Sequence, residues 1–159
     1  MPCGIKEQFR DKDKIMENIT LVRRYLGGTK VIGTPETDLD FVPIIRKGFP
    51  FSVFTSLRDR AQLSEEAIWE SLGIAKRTAA RRKERSARLK SDESELLLRL
   101  ARVLAAATEV LGSEEKARDW LVVENRALGG AVPIKLLDTG IGFQEVLDAL
   151  KRIEYGIHS

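Results

Sequence analysis

Cysteine and histidine are nearly missing from this 159-residue chain, which carries one of each, Cys3 and His158. A lone cysteine forms no internal disulfide, so a reducing, cytoplasmic setting is expected. A zinc site draws three or four ligands from Cys, His and carboxylates, and these two are the only soft ones available. A Ser-His-Asp or Cys-His device would have to be built on the penultimate residue, a poor platform for catalysis. There is no Gly-rich phosphate loop of the P-loop or dinucleotide type. Neither a metal, a cofactor nor an enzymatic activity is therefore expected. No apolar run approaches the roughly 18–20 residues that span a bilayer, and residues 1–14 lack the apolar core of a secretory signal. Aromatic residues make up only 6%, but the apolar fraction of 43% rules out wholesale disorder despite 32% charged residues. The length suits one or two small units with a buried core.

The net charge of +3 hides a sharp asymmetry. Residues 1–75 carry 11 basic and 11 acidic side chains, and residues 91–159 carry 8 basic and 12 acidic. Between them, the block KRTAARRKERSARLK (76–90) holds 8 basic residues and 1 acidic one. A cationic block between neutral and acidic flanks suits a polyanion, although a solvated helix face has the same composition. Its context has to decide.

Prolines partition the chain: none occurs between Phe51 and Val132. Ile15, Ile19, Val22 and Leu26 predict a first helix over 11–26, stopped by Gly27-Gly28. Residues 29–50, with prolines at 35, 43 and 50, read as a connector with a short extended piece. A helix is expected over 52–61. Ser64 is a good N-cap for a second, whose first turn carries Glu65 and Glu66 and whose apolar face holds Ala67, Ile68 and Leu72. Gly73 supplies the left-handed stop, and Ile74 tucks inward. A third helix follows from Ala75 to Arg85. Two short helices about a Gly-containing turn form a helix-turn-helix, whose second helix enters the major groove. The cationic block starts on that helix, with Lys76, Arg77, Arg81 and Arg82 expected around its exposed face and Ala79 inward. Arginine and lysine bond phosphates and guanine edges, so DNA contact is the favoured reading of the block.

Ser91 is expected to cap a long helix with Asp92, Glu93 and Glu95 in its first turn. Leu96, Leu97, Leu100, Val103, Leu104, Ala107, Val110 and Leu111 form its core stripe, ending at Gly112. Ser113 caps another helix, with Ala117, Trp120 and Leu121 inward. Asn125 and Gly129-Gly130 shape a turn, and Pro133 opens a short helical turn. A final amphipathic helix rests on Phe143, Val146, Leu147, Leu150 and Ile153 and stops at Gly156. The fold class is all-α.

These residues resemble the Xre/MbcA/ParS-type antitoxins that pair with RES-domain toxins. The likeness runs over roughly residues 49–159. It rests on Gly73-Ile74, Arg77-Thr78, Arg81-Arg82, Arg88-Leu89, Ser91, Glu93-Ser94 and the Leu-rich helix through Arg99 to Val103. The second half adds Ala117, Trp120, Asn125, Leu128-Gly129-Gly130, Pro133, Leu136-Leu137, Thr139 and the Arg152–Gly156 run. The resemblance implies an N-terminal helical extension and connector (1–48), a helix-turn-helix domain (49–90), and a long linking helix with a toxin-binding domain (91–159). It implies an antitoxin, itself no enzyme and expected to be a homodimer, that represses its own operon by binding operator DNA. The protein would also block a RES toxin, an ADP-ribosyltransferase-like consumer of NAD. DNA contact would fall to Lys76, Arg77, Thr78, Arg81, Arg82 and Arg85. Toxin contact would fall to Lys151, Arg152, Glu154, Tyr155, Gly156, Ile157 and His158. Three residues depart from the pattern: Trp69 stands where a small residue is usual, Ala75 where a capping Ser is common, and Ala79 where Leu is frequent. They imply a looser module that a dimer or the toxin steadies on DNA.

Other readings remain open on the residues alone. Tyr155 closes the core in one, with His158 a frayed end, and inserts into a nucleotide pocket of the toxin in the other. A stand-alone helix-turn-helix repressor whose C-terminal part only dimerises fits the same pattern. The carboxylate pairs Glu65/Glu66 and Glu114/Glu115 are explained by helix capping, which leaves little reason to assign them catalysis.

Overall fold

A computed structural model describes residues 18–85 and 87–156. Cys3, Ile15, Ile157 and His158 lie outside the described residues. Every regular element among those described is helical, as the all-α reading requires.

The described residues begin in α1 (residues 18–25), whose Ile19, Val22 and Tyr25 are buried, as is Leu26 just after it. Gly27 and Gly28 end it, both at positive φ. The expected connector over 29–50 is mostly helical, which corrects that reading. A short α2 (Thr29–Ile32), a 3₁₀ turn (Asp38–Asp40) and α3 (Phe41–Lys47) occupy it. Pro43 is compatible because it falls in the first turn of α3, where its missing N–H has no intrahelical partner to lose. Asp40 starts this stretch. Its carboxylate accepts the N–H groups of Glu36 and Thr37, both at 2.9 Å, and these bonds hold its pKa below the ordinary carboxylate value.

α4 (Phe51–Ala61) ends at Gln62 in a left-handed conformation. α5 (Glu65–Ser71) is capped as expected, Ser64 Oγ accepting the Ala67 N–H at 3.1 Å. Its C-terminus closes in a Schellman arrangement: Ile74 N–H reaches Trp69 O at 3.0 Å and Gly73 N–H reaches Glu70 O at 3.0 Å. α6 (Lys76–Arg85) follows. The α5–turn–α6 unit is thus a helix-turn-helix. Trp69 has room because it stacks on Phe54 of α4, with centroids 4.2 Å apart and planes at 21°.

α7 (Ser91–Leu111) is the spine. Lys90 is its N-cap, so Ser91 is the first helical residue and not the cap expected. Glu93 does the capping, its carboxylate accepting the Lys90 N–H at 2.8 Å. Leu97, Leu100, Val103 and Leu104 are fully buried along it, each contributing about 1.5–3 kcal/mol of apolar burial. α7 packs against α3, α4, α8 (Glu114–Leu121) and α9 (Gly140–Glu154). The buried side chains form one continuous apolar cluster from Val22 to Leu150, so the helix-turn-helix and the C-terminal helices share a core. Cross-links reinforce that union: Arg60 pairs with Glu114 at 2.8 Å and Arg118 donates to Gln62 at 2.7 Å.

Candidate functional site

Two surfaces carry the residues singled out by sequence. The first is α6. With a turn of about 100° per residue, Arg77, Arg81 and Arg85 fall along one stripe of the helix. All three are exposed, and none of them makes an ion pair among the described residues. Thr78 sits half-buried beside the stripe and Ala79 faces the core. Lys76 is exposed in a 3.2 Å contact with Glu66, and Lys83 reaches Glu65 at 3.0 Å. Glu65 also binds Arg58 of α4. The Lys83 ammonium first and the Arg58 guanidinium second hold the Glu65 carboxyl below its ordinary pKa.

Arg82 departs from the exposed face expected for it. Its side chain is only 15% exposed, and Nη1 lies 2.8 Å from Oε2 of Glu93, itself 8% exposed. The same Glu93 oxygen accepts the Lys90 N–H that starts α7. Around this pair the chain entering α7 is stitched to the turn between α3 and α4. Leu89 N–H donates to Phe49 O at 2.9 Å, Arg88 Nη1 to Gly48 O at 2.6 Å, and Phe49 N–H to Ser94 Oγ at 2.8 Å. Sequence reading missed this joint. Glu93 lies in a first turn, where capping accounts for an acidic residue, and nothing local signals a partner 11 positions earlier.

The second surface is the end of α9. Thr139 caps this helix by accepting the Gly142 N–H at 3.0 Å, and Val146, Ala149 and Leu150 are buried along it. Arg99 and Arg102 of α7 lie over the Phe143 ring at 6.0 and 5.5 Å, fixing its start. At its far end Lys151 reaches Asp148 at 3.6 Å and Arg152 reaches Glu145 at 3.9 Å, both across the helix surface. Tyr155 is 72% exposed, so it does not close the core. Glu154 and Gly156 are exposed beside it, with Gly156 at φ 67°. Lys151, Arg152, Glu154, Tyr155 and Gly156 thus lie together at the C-terminal end of α9. Trp120 is half-buried against the core and Asn125 caps a 3₁₀ turn, as expected of both. No helix among the described residues is long and apolar enough to cross a membrane.

Comparison with known proteins matches both halves. Residues 40–102 fit the family described as the Antitoxin Xre-like helix-turn-helix domain. Residues 106–156 fit the Antitoxin Xre/MbcA/ParS C-terminal toxin-binding domain. The chain is 34% identical over 119 residues to Antitoxin Xre of Yersinia enterocolitica, covering 74% of this chain and 80% of that one. It is 30% identical over 117 residues to Antitoxin Xre of Photorhabdus laumondii, covering 73% and 79%. A protein of Sphingobium sp. named Prs ADP-ribosylating antitoxin is 26% identical over 127 residues, covering 74% and 80%. The two matched families meet inside α7, whose residues 91–111 span both.

Proposed function

Because this chain belongs to the Xre family of antitoxins, with both its helix-turn-helix and its toxin-binding domain, we propose that it silences a RES-domain toxin and represses its own operon. It is a type II antitoxin, which sets aside the reading of a stand-alone regulator. The observation that carries the DNA half is the exposed stripe of Arg77, Arg81 and Arg85 on the second helix of the helix-turn-helix, unpaired among the described residues. Arginines without an ion-pair partner among the described residues, on an exposed second helix, can neutralise phosphates and read guanine edges. Lys76 and Thr78 flank them. A homodimer would present two such helices to half-sites about one helical turn apart.

The toxin half rests on the matched C-terminal domain and on the exposed end of α9. Arg152 and Tyr155 supply a cation and an aromatic ring of the kind that fits a dinucleotide pocket by pairing and stacking. An NAD-consuming, ADP-ribosyltransferase-like toxin is supported by the relative whose name carries ADP-ribosylation. The antitoxin acts by occupying the toxin's site and performs no chemistry itself.

The test has two arms. A duplex of the DNA upstream of the chain's own gene should bind with a steep salt dependence. Arg77→Met and Arg81→Met should each flatten that dependence by about one phosphate's worth of counterion release. A RES-domain protein encoded beside this gene should co-purify with it and lose its NAD consumption in its presence. Failure of co-purification removes the RES assignment, and salt-independent affinity removes the arginine stripe.

A further inference from the structure

We propose that Arg82, held by Glu93, is a positioning residue that orients the recognition helix and makes no contact with DNA; this rests on the DNA reading above. Arg82 lies off the arc shared by Arg77, Arg81 and Arg85, on the side of α6 that Ala79 turns to the core. Its guanidinium is paired with a carboxylate that is itself buried.

The pair matters because little else holds α6. Ala79 is the one buried side chain among its described residues, and a single methyl group fixes a helix poorly. The other ties of α6, Lys76–Glu66 and Lys83–Glu65, are exposed ion pairs, which contribute little. Glu93, by contrast, is anchored in the first turn of the longest helix through its bond to the Lys90 N–H. Arg82 therefore transfers the position of α7 to α6. A guanidinium suits this task, since the geometry of its rigid planar fork fixes the direction in which Nη1 meets the carboxylate at 2.8 Å. Removing either partner leaves the other charge buried and unpaired, which is costly.

The two possible roles of Arg82 differ in sign at Glu93. An acidic residue near bound phosphates repels them, so neutralising it would strengthen binding if the pair had no positioning role. Positioning demands the opposite. The experiment uses the full chain and the upstream duplex, with affinity followed from about 50 to 200 mM salt. Arg77→Met serves as the contact reference and should reduce the slope of log K against log salt by about 0.9. Arg82→Met and Glu93→Gln should each weaken binding at least tenfold with the wild-type slope. The double variant should be no weaker than the worse single one, because both remove one interaction. Without DNA, both single variants should speed amide exchange in α6 while α8 and α9 keep their protection.

A flattened slope in Arg82→Met together with unweakened binding by Glu93→Gln would overturn the proposal. Unchanged α6 exchange in both variants would do the same. If α9 also loses protection in Glu93→Gln, Arg82→Lys decides: it keeps the charge, loses the fork, and should still weaken binding several-fold at unchanged slope. A wild-type chain that ignores the duplex refutes the DNA reading instead, and the α6 exchange then decides whether the pair orients the helix.

Discussion

A methyl group on Cα of Gly48 would stand 2.2 Å from the carbonyl oxygen of Leu89. That closeness follows from the neighbouring bonds, Leu89 N–H to Phe49 O and Arg88 to Gly48 O, which press the strand of chain before α7 onto the turn before α4. Gly48 is also at φ 86° and ψ 140°, a positive-φ conformation that glycine alone adopts readily. Two independent reasons thus forbid a side chain at one position.

Gly48→Ala should therefore cost more than an ordinary glycine substitution. The positive-φ backbone alone costs about 1–3 kcal/mol, and overlap with the Leu89 carbonyl raises the total to about 2–4 kcal/mol in urea unfolding. Gly73→Ala is the comparison: φ is 65°, yet nothing lies within 4 Å, so only the backbone cost of about 1–2 kcal/mol applies. Equal losses at the two sites would show that the Leu89 contact relaxes freely.

Tyr25 makes the second prediction. It is fully buried, its hydroxyl lies 3.0 Å from Thr108 Oγ1, and burial pushes its pKa up. Thr108 donates to Leu104 O at 2.7 Å, so the tyrosine is the donor to Thr108. Tyr25→Phe should cost about 0.5–1.5 kcal/mol and Tyr25→Ala about 3–5 kcal/mol of unfolding free energy. A Tyr25→Ala protein with unchanged Tm would mean that α1 is an appendage. The residue lies before both matched domains, yet it packs in their common core.

That location explains what was legible in the sequence. Periodic apolar residues and capping groups mark α4 to α9 plainly, since local rules govern Ser64, Gly73, Ser113 and Gly156 alike. The stretch 29–50 reads as a connector with a short extended piece because its prolines and glycines outweigh a short apolar pattern. Phe41 and Ile32 are buried by contacts distant in sequence, which no local period records. At the site, the basic block falls on α6, the second helix of the helix-turn-helix. It did not separate Arg82 from Arg81, because only the fold brings Glu93 beneath one of them.

Glu65 should make the helix-turn-helix sensitive to acid. Its folded pKa lies below the ordinary value of 4.5, through Lys83 and Arg58. A depressed carboxylate contributes stability above its unfolded pKa, and the contribution fades as pH falls through the folded value. Wild-type protein should thus be more stable than Glu65→Gln at about pH 7, with the gap narrowing as the pH drops below about 4.5. A gap that stays constant over that range would remove Glu65 as the titrating group.

The role of the α9 end is best tested by a cut that spares the core. A chain ending at Ala149 would lose Leu150, which is 1% exposed, and half-buried Ile153, so its failure would report misfolding as much as lost contact. A chain ending at Glu154 removes only exposed Tyr155 and Gly156 among the described residues, together with 157–159. Its helical circular dichroism and Tm should match those of the full chain. In cells expressing the proposed RES-domain partner, full-length protein should preserve NAD and the shortened chain should not. Arg152→Ala should fall between them, losing the cation but keeping the ring, which contributes about 1 kcal/mol or more when stacked. If the shortened chain protects as well as the full one, the inhibitory contact lies elsewhere, on the surface of residues 92–138.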